Sequence, residues 1–318
     1  MTFSRIIGTG GCLPDRVITN EELSKTVDTT DEWIMQRVGI KERHVVSNDE
    51  TTCSIAKIAA ERAIAAAGIS PNDIDLIVLG TATPDFNFPS SACVLQDLLG
   101  ITNESPAFDI NAACAGFIYS LSMADQYIKT GAMKTVLVVG VDSLSKVIDW
   151  SDRGTCVLFG DGAGAVILQA SEEPGIHTTH LHAAGQYGKW LFSESTLWKK
   201  DTNSFVNMNG SDIYRIAVKK LGEIVDNLIA TSGIQKSDID WLIPHQANMR
   251  IIQSLAKRLD LPMEKVILTI EEHANTSAAS IPLALDHGIR SGKIQRGDLL
   301  LMDAFGAGLA WGGALVTY

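Results

Sequence analysis

The sequence predicts an α/β fold built from two similar halves, and three observations carry that reading. Helix and strand signals alternate along the whole chain, which implies sheets whose faces are covered by helices. The strand signals are continuous apolar runs rather than in-out alternations, as in residues 75–83 (DLIVLGTAT), and this marks strands covered on both faces. The chain also repeats itself. Gly68-Ile69 is followed by Asp73-Ile74-Asp75 and an apolar strand; Gly233-Ile234, at an offset of 165, is followed by Asp238-Ile239-Asp240 and another. Asn111-Ala112-Ala113-Cys114 comes 36 residues after Asp75, and Asn275-Thr276-Ser277-Ala278 comes 35 after Asp240. A shared order at a nearly constant offset divides the chain into halves of about 1–170 and 171–318.

The elements follow in order. Residues 1–8 (MTFSRIIG) lack the apolar segment of a secretory signal and read as a strand entering a turn. Residues 54–67 are rich in Ala and straight-chain side chains and predict a helix that stops at Gly68. The strand at 75–83 comes next. An extended run from Phe108 then ends in small residues, and a helical pattern starts at Cys114 (CAGFIYSLSMADQYI). Residues 135–140 (TVLVVG) predict another buried strand, and Gly160-Asp161-Gly162-Ala163-Gly164 leads into a strand (AVILQA). Residues 177–182 (HTTHLH) read as an edge strand. Residues 186–211 are irregular and hold Trp190, Phe192, Trp198, Phe205 and Met208. They fit a packed surface loop or the wall of an active site. Residues 241–244 (WLIP) end a strand before a helix, and 299–302 (LLLM) form the last buried strand.

Composition narrows the function classes. The chain has 318 residues, 46% hydrophobic and 20% charged, which is an ordinary globular balance and not a disordered one. Lys plus Arg total 26 against 37 Asp plus Glu, a net charge of −11 that disfavours nucleic acid and anionic membranes. The five cysteines lack CxxC spacing, which argues against a disulfide framework and a structural zinc site. No apolar run reaches the ~20 residues of a membrane span. The expected location is the reducing cytoplasm. Gly8-Thr9-Gly10-Gly11 lacks the third glycine and following helix of a dinucleotide site, and no GxxxxGK[ST] is present, so neither NAD nor ATP is indicated.

The candidate nucleophile is Cys114. Small neighbours suit a strand-to-helix elbow that exposes a side chain. The positive end of the helix dipole there lowers a thiol's pKa. A buried structural cysteine fits the local sequence equally well until a partner is considered; for Cys12, Cys53, Cys93 and Cys156 the structural role is the expected one. A thiolate wants a histidine, and His245 stands at a strand end before a helix, where chemistry gathers in open α/β sheets. His177, His180 and His182 have neither cysteine nor carboxylate support for a metal site. Asn275 holds in the second half the place of Asn111 in the first. Ala304-Phe305-Gly306-Ala307-Gly308 follows the last strand, and its small residues let backbone N–H groups approach a bound oxygen.

The motifs Asn111-Ala112-Ala113-Cys114-Ala115-Gly116-Phe117, Pro244-His245-Gln246-Ala247-Asn248 and Asn275-Thr276-Ser277-Ala278-Ala279-Ser280 closely resemble the three catalytic motifs of β-ketoacyl-acyl carrier protein synthase III. The resemblance runs through the chain, including Thr30-Asp31-Glu32-Trp33-Ile34, Arg153-Gly154-Thr155 and Trp311-Gly312. It implies the thiolase fold, two pseudo-symmetric halves in a five-layered α-β-α-β-α sandwich, usually a homodimer, with Cys114 in the first half and His245 and Asn275 in the second. It implies an acyltransferase that moves an acyl group from acyl-CoA to Cys114 and condenses it with malonyl-acyl carrier protein as CO2 leaves, with no cofactor. His245 and Asn275 would stabilise the enolate, and the backbone N–H groups of Cys114 and Ala307 would form the oxyanion hole. By the same resemblance Trp33, Arg37 and Arg153 hold the CoA adenine, Gly210, Tyr214, Ala247 and Asn248 line the pantetheine channel, and Phe88 reaches a partner subunit's acyl pocket.

Two departures stand out: His273-Ala274 precedes Asn275 where the family usually has an aromatic residue and Gly, and Ala307 stands within the final glycine triplet. Other readings differ in one feature each. A biosynthetic thiolase needs a second cysteine in the final loop, and elongating condensing enzymes use Cys-His-His. A relative making quinolones or polyketides keeps Cys-His-Asn and differs in primer. A cysteine hydrolase would release free acid without malonyl-acyl carrier protein, and a noncatalytic binding module would have lost one of the three catalytic types. Finally, Arg250, Lys257 and Arg258 recur at i, i+7 and i+8 after His245. With Gln246 they form a candidate docking face for an acidic carrier protein; a solvated face fits the same pattern. Lys219 and Lys220 sit on another predicted helix.

Overall fold

The computed structural model describes residues 2–197 and 204–318; Trp198, one of the loop aromatics, lies outside the described residues. The first sheet contains β1 (Phe3–Cys12), β2 (Leu76–Gly80), β3 (Ala107–Ile110), β4 (Thr135–Ser143) and β5 (Asp161–Ser171), in the order β1-β5-β4-β2-β3. The second contains β6 (Ile176–Ala183), β7 (Trp241–Pro244), β8 (Leu299–Gly306) and β9 (Ala310–Thr317), in the order β6-β9-β8-β7. Its strands thus follow the order of the first four of the other sheet. In both, one matching pair is parallel (β2 with β4, β7 with β8) and the two matching pairings before it are antiparallel; the extra edge strand β3 of the first sheet runs parallel to β2.

The cores explain the layers. Alternate side chains of each inner strand enter different cores, which is why the strands read as unbroken apolar runs. Ile77, Leu79, Leu137 and Val139 pack with Ile55, Ala59 and Ala63 of the helix α1 (Thr52–Ala67). Leu76, Val78, Val136 and Val138 face the other way, onto α2 (Gly116–Lys129) and α5 (Ser280–Arg290), which also receive Leu300 and Met302 of β8. Leu299, Leu301 and Phe305 pack against α3 (Gly210–Ser232) and α4 (Met249–Arg258). The succession helix, sheet, two central helices, sheet, helix is the five-layered sandwich of the thiolase fold.

Boundaries depart from expectation for local reasons. α1 starts at Thr52 because Thr51 and Ser54 form a capping box, and it ends at Gly68 with φ +69. The strand expected over 75–83 stops at Gly80, because Thr81 and Thr83 turn their hydroxyls to the Asp142 carboxylate. Strands β4 and β8 run on to Ser143 and Gly306. The turn expected near Gly8 is a strand through Cys12. A Cβ at Gly10 would lie 2.3 Å from the Ala59 carbonyl, so the glycine there lets α1 approach the sheet. β6 is an edge strand whose histidines find neighbours in the protein: His177 Nε2 meets Thr317 Oγ1 at 2.7 Å and His180 Nε2 meets Thr231 Oγ1 at 2.9 Å, while His182 stacks on Trp311. Among the described residues no group of three or more His, Cys, Asp or Glu is placed to hold a metal ion, and no helix is long and apolar enough to cross a membrane. All five cysteines are free.

Candidate active site

Cys114 and Asn275 occupy matching turns. In each half a 3-10 turn, Ala113–Ala115 or Ser277–Ala279, leads into a central helix. Each turn opens with a non-glycine residue at positive φ, Ala113 at +45° and Ser277 at +50°. In each, an asparagine Oδ1 accepts the N–H two residues on: Asn111 from Ala113 at 3.3 Å and Asn275 from Ser277 at 2.9 Å. This Asx geometry makes the unusual φ tolerable. It also fixes the Asn275 side chain: with Oδ1 engaged, Nδ2 remains as a donor.

Cys114 is 8% exposed, and Ser277 Oγ donates to its Sγ at 3.3 Å. The helix dipole was expected to lower this thiol. Burial outweighs it and pushes the thiol up to about 12, only partly countered by the Ser277 hydrogen bond. Gly306 ends β8 directly against this turn; a Cβ there would lie 2.7 Å from the Cys114 amide nitrogen. Ala307 follows and is half-buried, and it is not among the residues at positive φ, so alanine fits its backbone.

His245 leaves the end of β7 and is buried, with Nδ1 2.6 Å from Ser280 Oγ. Ser280 Oγ also accepts the Gln246 N–H at 3.4 Å, so the serine hydrogen is free to point at Nδ1. When that hydroxyl donates to Nδ1, the imidazole proton is on Nε2. Burial lowers the ring to about 4, so it is neutral at physiological pH.

Cys114, His245 and Asn275 line one cavity of about 700 Å³. The same cavity takes in Trp33, Arg37 and Arg153, and Gly210, Tyr214, Ala247 and Asn248. Leu191 and Met208 come from the irregular stretch after residue 185, which forms a short hairpin here and contributes a wall. Arg37 and Arg153 lie 5.0 and 4.9 Å from the Trp33 ring centroid. An adenine ring can therefore enter between Trp33 and Arg153 only if the two part. Asn248 has a structural task as well, capping α4 by accepting the Arg250 N–H at 2.9 Å.

Other expected site residues lie elsewhere. Gln246 is 0% exposed, so it cannot belong to a docking face. Its Nε2 donates to the Pro244 and Ile267 carbonyls and its Oε1 accepts from Thr269 and Ile270, which ties the His245 turn to residues 267–270. Arg250 lines the cavity mouth over Tyr214; Arg258 is turned aside and ion-paired with Asp226 of α3; Lys257 is exposed. Lys220 lies over Trp311 and pairs with Glu223. Phe88 is 86% exposed and outside the cavity lining of this chain.

Ser277, Ser280 and Asp142 enter the site without having been singled out. The two serines lie inside the Asn275 motif, and their spacing from Asn275 is the one signal that points to them. The departure at Ala274 also gains a physical meaning. This residue is 0% exposed at φ +59°, ψ −158°, a region that only glycine adopts freely, at a cost of about 1–3 kcal/mol. Ala274→Gly should therefore keep or raise the melting temperature, although it deletes a buried methyl. The same change at buried, helical Ala284 should lower it by several degrees. A thermal melt in which both variants fall equally would remove the claim of strain.

The chain is similar to known proteins in sequence and fold. Residues 108–185 match the family profile described as 3-oxoacyl-[acyl-carrier-protein] synthase III, and residues 229–318 match that of its C-terminal part. A β-ketoacyl-[acyl-carrier-protein] synthase III of Coxiella burnetii (strain Dugway 5J108-111) is 59% identical over 317 residues, covering 99% of both chains. The crystal structure of 3-oxoacyl-[acyl-carrier-protein] synthase III from Aquifex aeolicus VF5 superposes with a TM-score of 0.94 at 46% identity, over 99% of this chain and 100% of that one. The priming β-ketosynthase of the R1128 polyketide pathway superposes with a TM-score of 0.95 at 36% identity, over 99% and 96%.

Proposed function

The chain belongs to the 3-oxoacyl-[acyl-carrier-protein] synthase III family, and from that premise we propose how its residues divide the work. It is an acyltransferase that condenses an acyl-CoA primer with malonyl-acyl carrier protein, releasing CO2 and starting fatty-acid synthesis. In our reading the Cys114 thiolate attacks the thioester of the primer, expelling CoA and forming an acyl-enzyme. The N–H groups of Cys114 and Ala307 stabilise the oxyanion of that step. CoA enters past Trp33, Arg37 and Arg153, with its pantetheine along Gly210, Tyr214, Ala247 and Asn248. Malonyl-acyl carrier protein then loses CO2, and Nε2 of His245 and Nδ2 of Asn275 donate to the thioester oxygen as the enolate forms. The enolate attacks the acyl group on Cys114. The observation that carries this reading is the convergence of Cys114, His245 and Asn275 on one cavity.

Incubation with labelled acetyl-CoA and malonyl-acyl carrier protein tests it. Acetylated Cys114 followed by acetoacetyl-acyl carrier protein is expected; free acetate alone would point to a hydrolase. The same assay run with competing acyl-CoA chain lengths separates an acetyl primer from the polyketide or quinolone alternative. The scheme needs no cofactor, because acyl-CoA is a substrate, and these substrates suit the cytoplasm. The division into halves at about 1–170 and 171–318 is likewise our reading, supported by the matching strand orders. So is a homodimer. β3 is an unpaired sheet edge, and Phe86 and Phe88 stand 54% and 86% exposed, features that favour a partner chain.

Carrier-protein docking narrows to Arg250 and Lys257, because Arg258 is neutralised by Asp226. Lys257 lies outside the cavity lining, which makes it the cleaner probe. Lys257→Glu should raise KM for malonyl-acyl carrier protein several-fold, more at low salt, while acylation by acyl-CoA is unchanged. Arg250→Glu should do the same and, from its place at the mouth, also weaken acyl-CoA binding. Equal loss of both half-reactions in Lys257→Glu would count against docking there.

A further inference from the structure

Before Cys114 can attack, its proton must leave, and burial makes that costly. His245 is a poor acceptor: its ring is held neutral, and protonating it would place a new ion pair in a dry site. A different acceptor lies against the sulfur. Ser277 is buried, with Oγ 3.3 Å from Cys114 Sγ. Behind it is Asp142 of β4, 0% exposed. Oδ1 of Asp142 accepts from Thr81 Oγ1 at 3.1 Å, Ala82 N at 2.7 Å and Thr83 Oγ1 at 2.9 Å. Oδ2 accepts from Ala278 N at 3.2 Å, and Ser277 precedes that amide in the same turn, its side chain beside the carboxylate. A fully buried carboxylate thus touches the turn that carries the hydroxyl in contact with the nucleophile. None of these four donors is a cation.

We propose that Ser277 and Asp142 form a proton relay that activates Cys114 and stores its proton through the acyl-enzyme stage. For transfer the Ser277 O–H turns from Cys114 Sγ to the Asp142 carboxylate, and the Cys114 S–H donates to Ser277 Oγ. Ser277 passes its proton to Asp142 and takes the one from sulfur. The products are a thiolate, a Ser277 O–H donating to it, and a neutral Asp142 carboxyl. One negative charge moves across the site and no second charge appears, which suits a buried location. Burial raises the proton affinity of Asp142, which favours its taking the proton. The thiolate forms the acyl–sulfur bond, and CoA leaves as a thiolate that takes its proton from solvent. Condensation breaks the acyl–sulfur bond and returns a Cys114 thiolate. Asp142, through Ser277, then gives the stored proton back.

The inference rests on Cys114 being the acylated residue, so acylation of a Cys114→Ala protein would remove that premise and leave the relay without a subject. The relay itself is tested with Ser277→Ala, because Asp142→Asn also disturbs the Thr81 to Thr83 turn. The ionisable groups on the elements packed around Cys114 are Asp142 on β4, His245 beyond β7 and Asp303 on β8; burial raises Asp303 to about 8. Of these, the charge acting on the thiol is that of Asp142. Acylation by labelled acetyl-CoA, and alkylation of Cys114 by iodoacetamide read by peptide mapping, are measured between about pH 6 and 10. Near neutral pH the Ser277→Ala protein should be slower by about 100-fold in both reactions, with the deficit shrinking as pH rises and solvent takes over deprotonation. An unchanged rate, or a deficit of the same size at every pH, overturns the relay. A matching melting temperature for Ser277→Ala and the parent protein excludes misfolding as the cause of a pH-dependent deficit.

Discussion

Cys114→Ala should leave no covalent label on the protein after incubation with labelled acetyl-CoA, and its 3-ketoacyl product should fall by at least ~10⁴-fold. The size of the effect follows from position. Cys114 faces the same cavity as His245 and Asn275, with the Gly306 backbone pressed against its amide. The sequence holds four other cysteines, and none is placed to substitute. Cys12, Cys53 and Cys156 are buried, with thiols raised by burial, and Cys93 is exposed with its Sγ near the Ala107 carbonyl. None of the four lines the cavity. Removing the sulfur costs one small side chain in a turn whose shape is set by Asn111 and Ala113, so the variant should melt within a few degrees of the parent protein. Label retained on the folded Cys114→Ala protein would refute the assignment of the nucleophile. A residual rate far above background without label would point to direct condensation from bound acyl-CoA.

Much of this site is legible in the sequence, because its chemistry sits in short contiguous motifs at strand ends. The buried apolar runs near Leu76, Val136 and Leu299 give the sheets, and the repeat gives the correspondence between Asn111 and Asn275. What escapes sequence reading depends on contacts distant in the chain. Gln246 looks like a surface residue beside His245, but four hydrogen bonds to Pro244, Ile267, Thr269 and Ile270 bury it. Arg258 shares a helical period with Arg250, yet Asp226 from another helix claims its charge. The dipole argument for a lowered Cys114 pKa is sound locally; it fails because burial is a property of the whole fold and is the larger effect. Asp142 is invisible as a site residue for the same reason, since 136 positions separate it from the Ala278 amide it holds.

His245→Ala and Asn275→Ala should each slow condensation by about 10²–10³-fold, the usual loss when one donor to a developing oxyanion is removed. The donors are set by their second bonds. With Ser280 Oγ donating to Nδ1, His245 carries its proton on Nε2, and the Ser277 N–H satisfies Oδ1 of Asn275 and leaves Nδ2. Both side chains therefore present N–H groups, and neither has to titrate to do so. Because burial lowers His245 to about 4, the imidazole stays neutral above that pH, and its donor role should show no ionisation between about pH 5 and 8. A condensation profile with a pKa near 6.5 that vanishes in His245→Ala would contradict this. The two donors serve one oxygen, so the double variant should lose much less than the product of the single losses. Acylation of Cys114 should fall by no more than about tenfold in either single variant, because the enolate does not yet exist at that stage. Equal loss in both half-reactions would mean instead that His245 deprotonates Cys114, and would at the same time weigh against the route through Ser277 and Asp142.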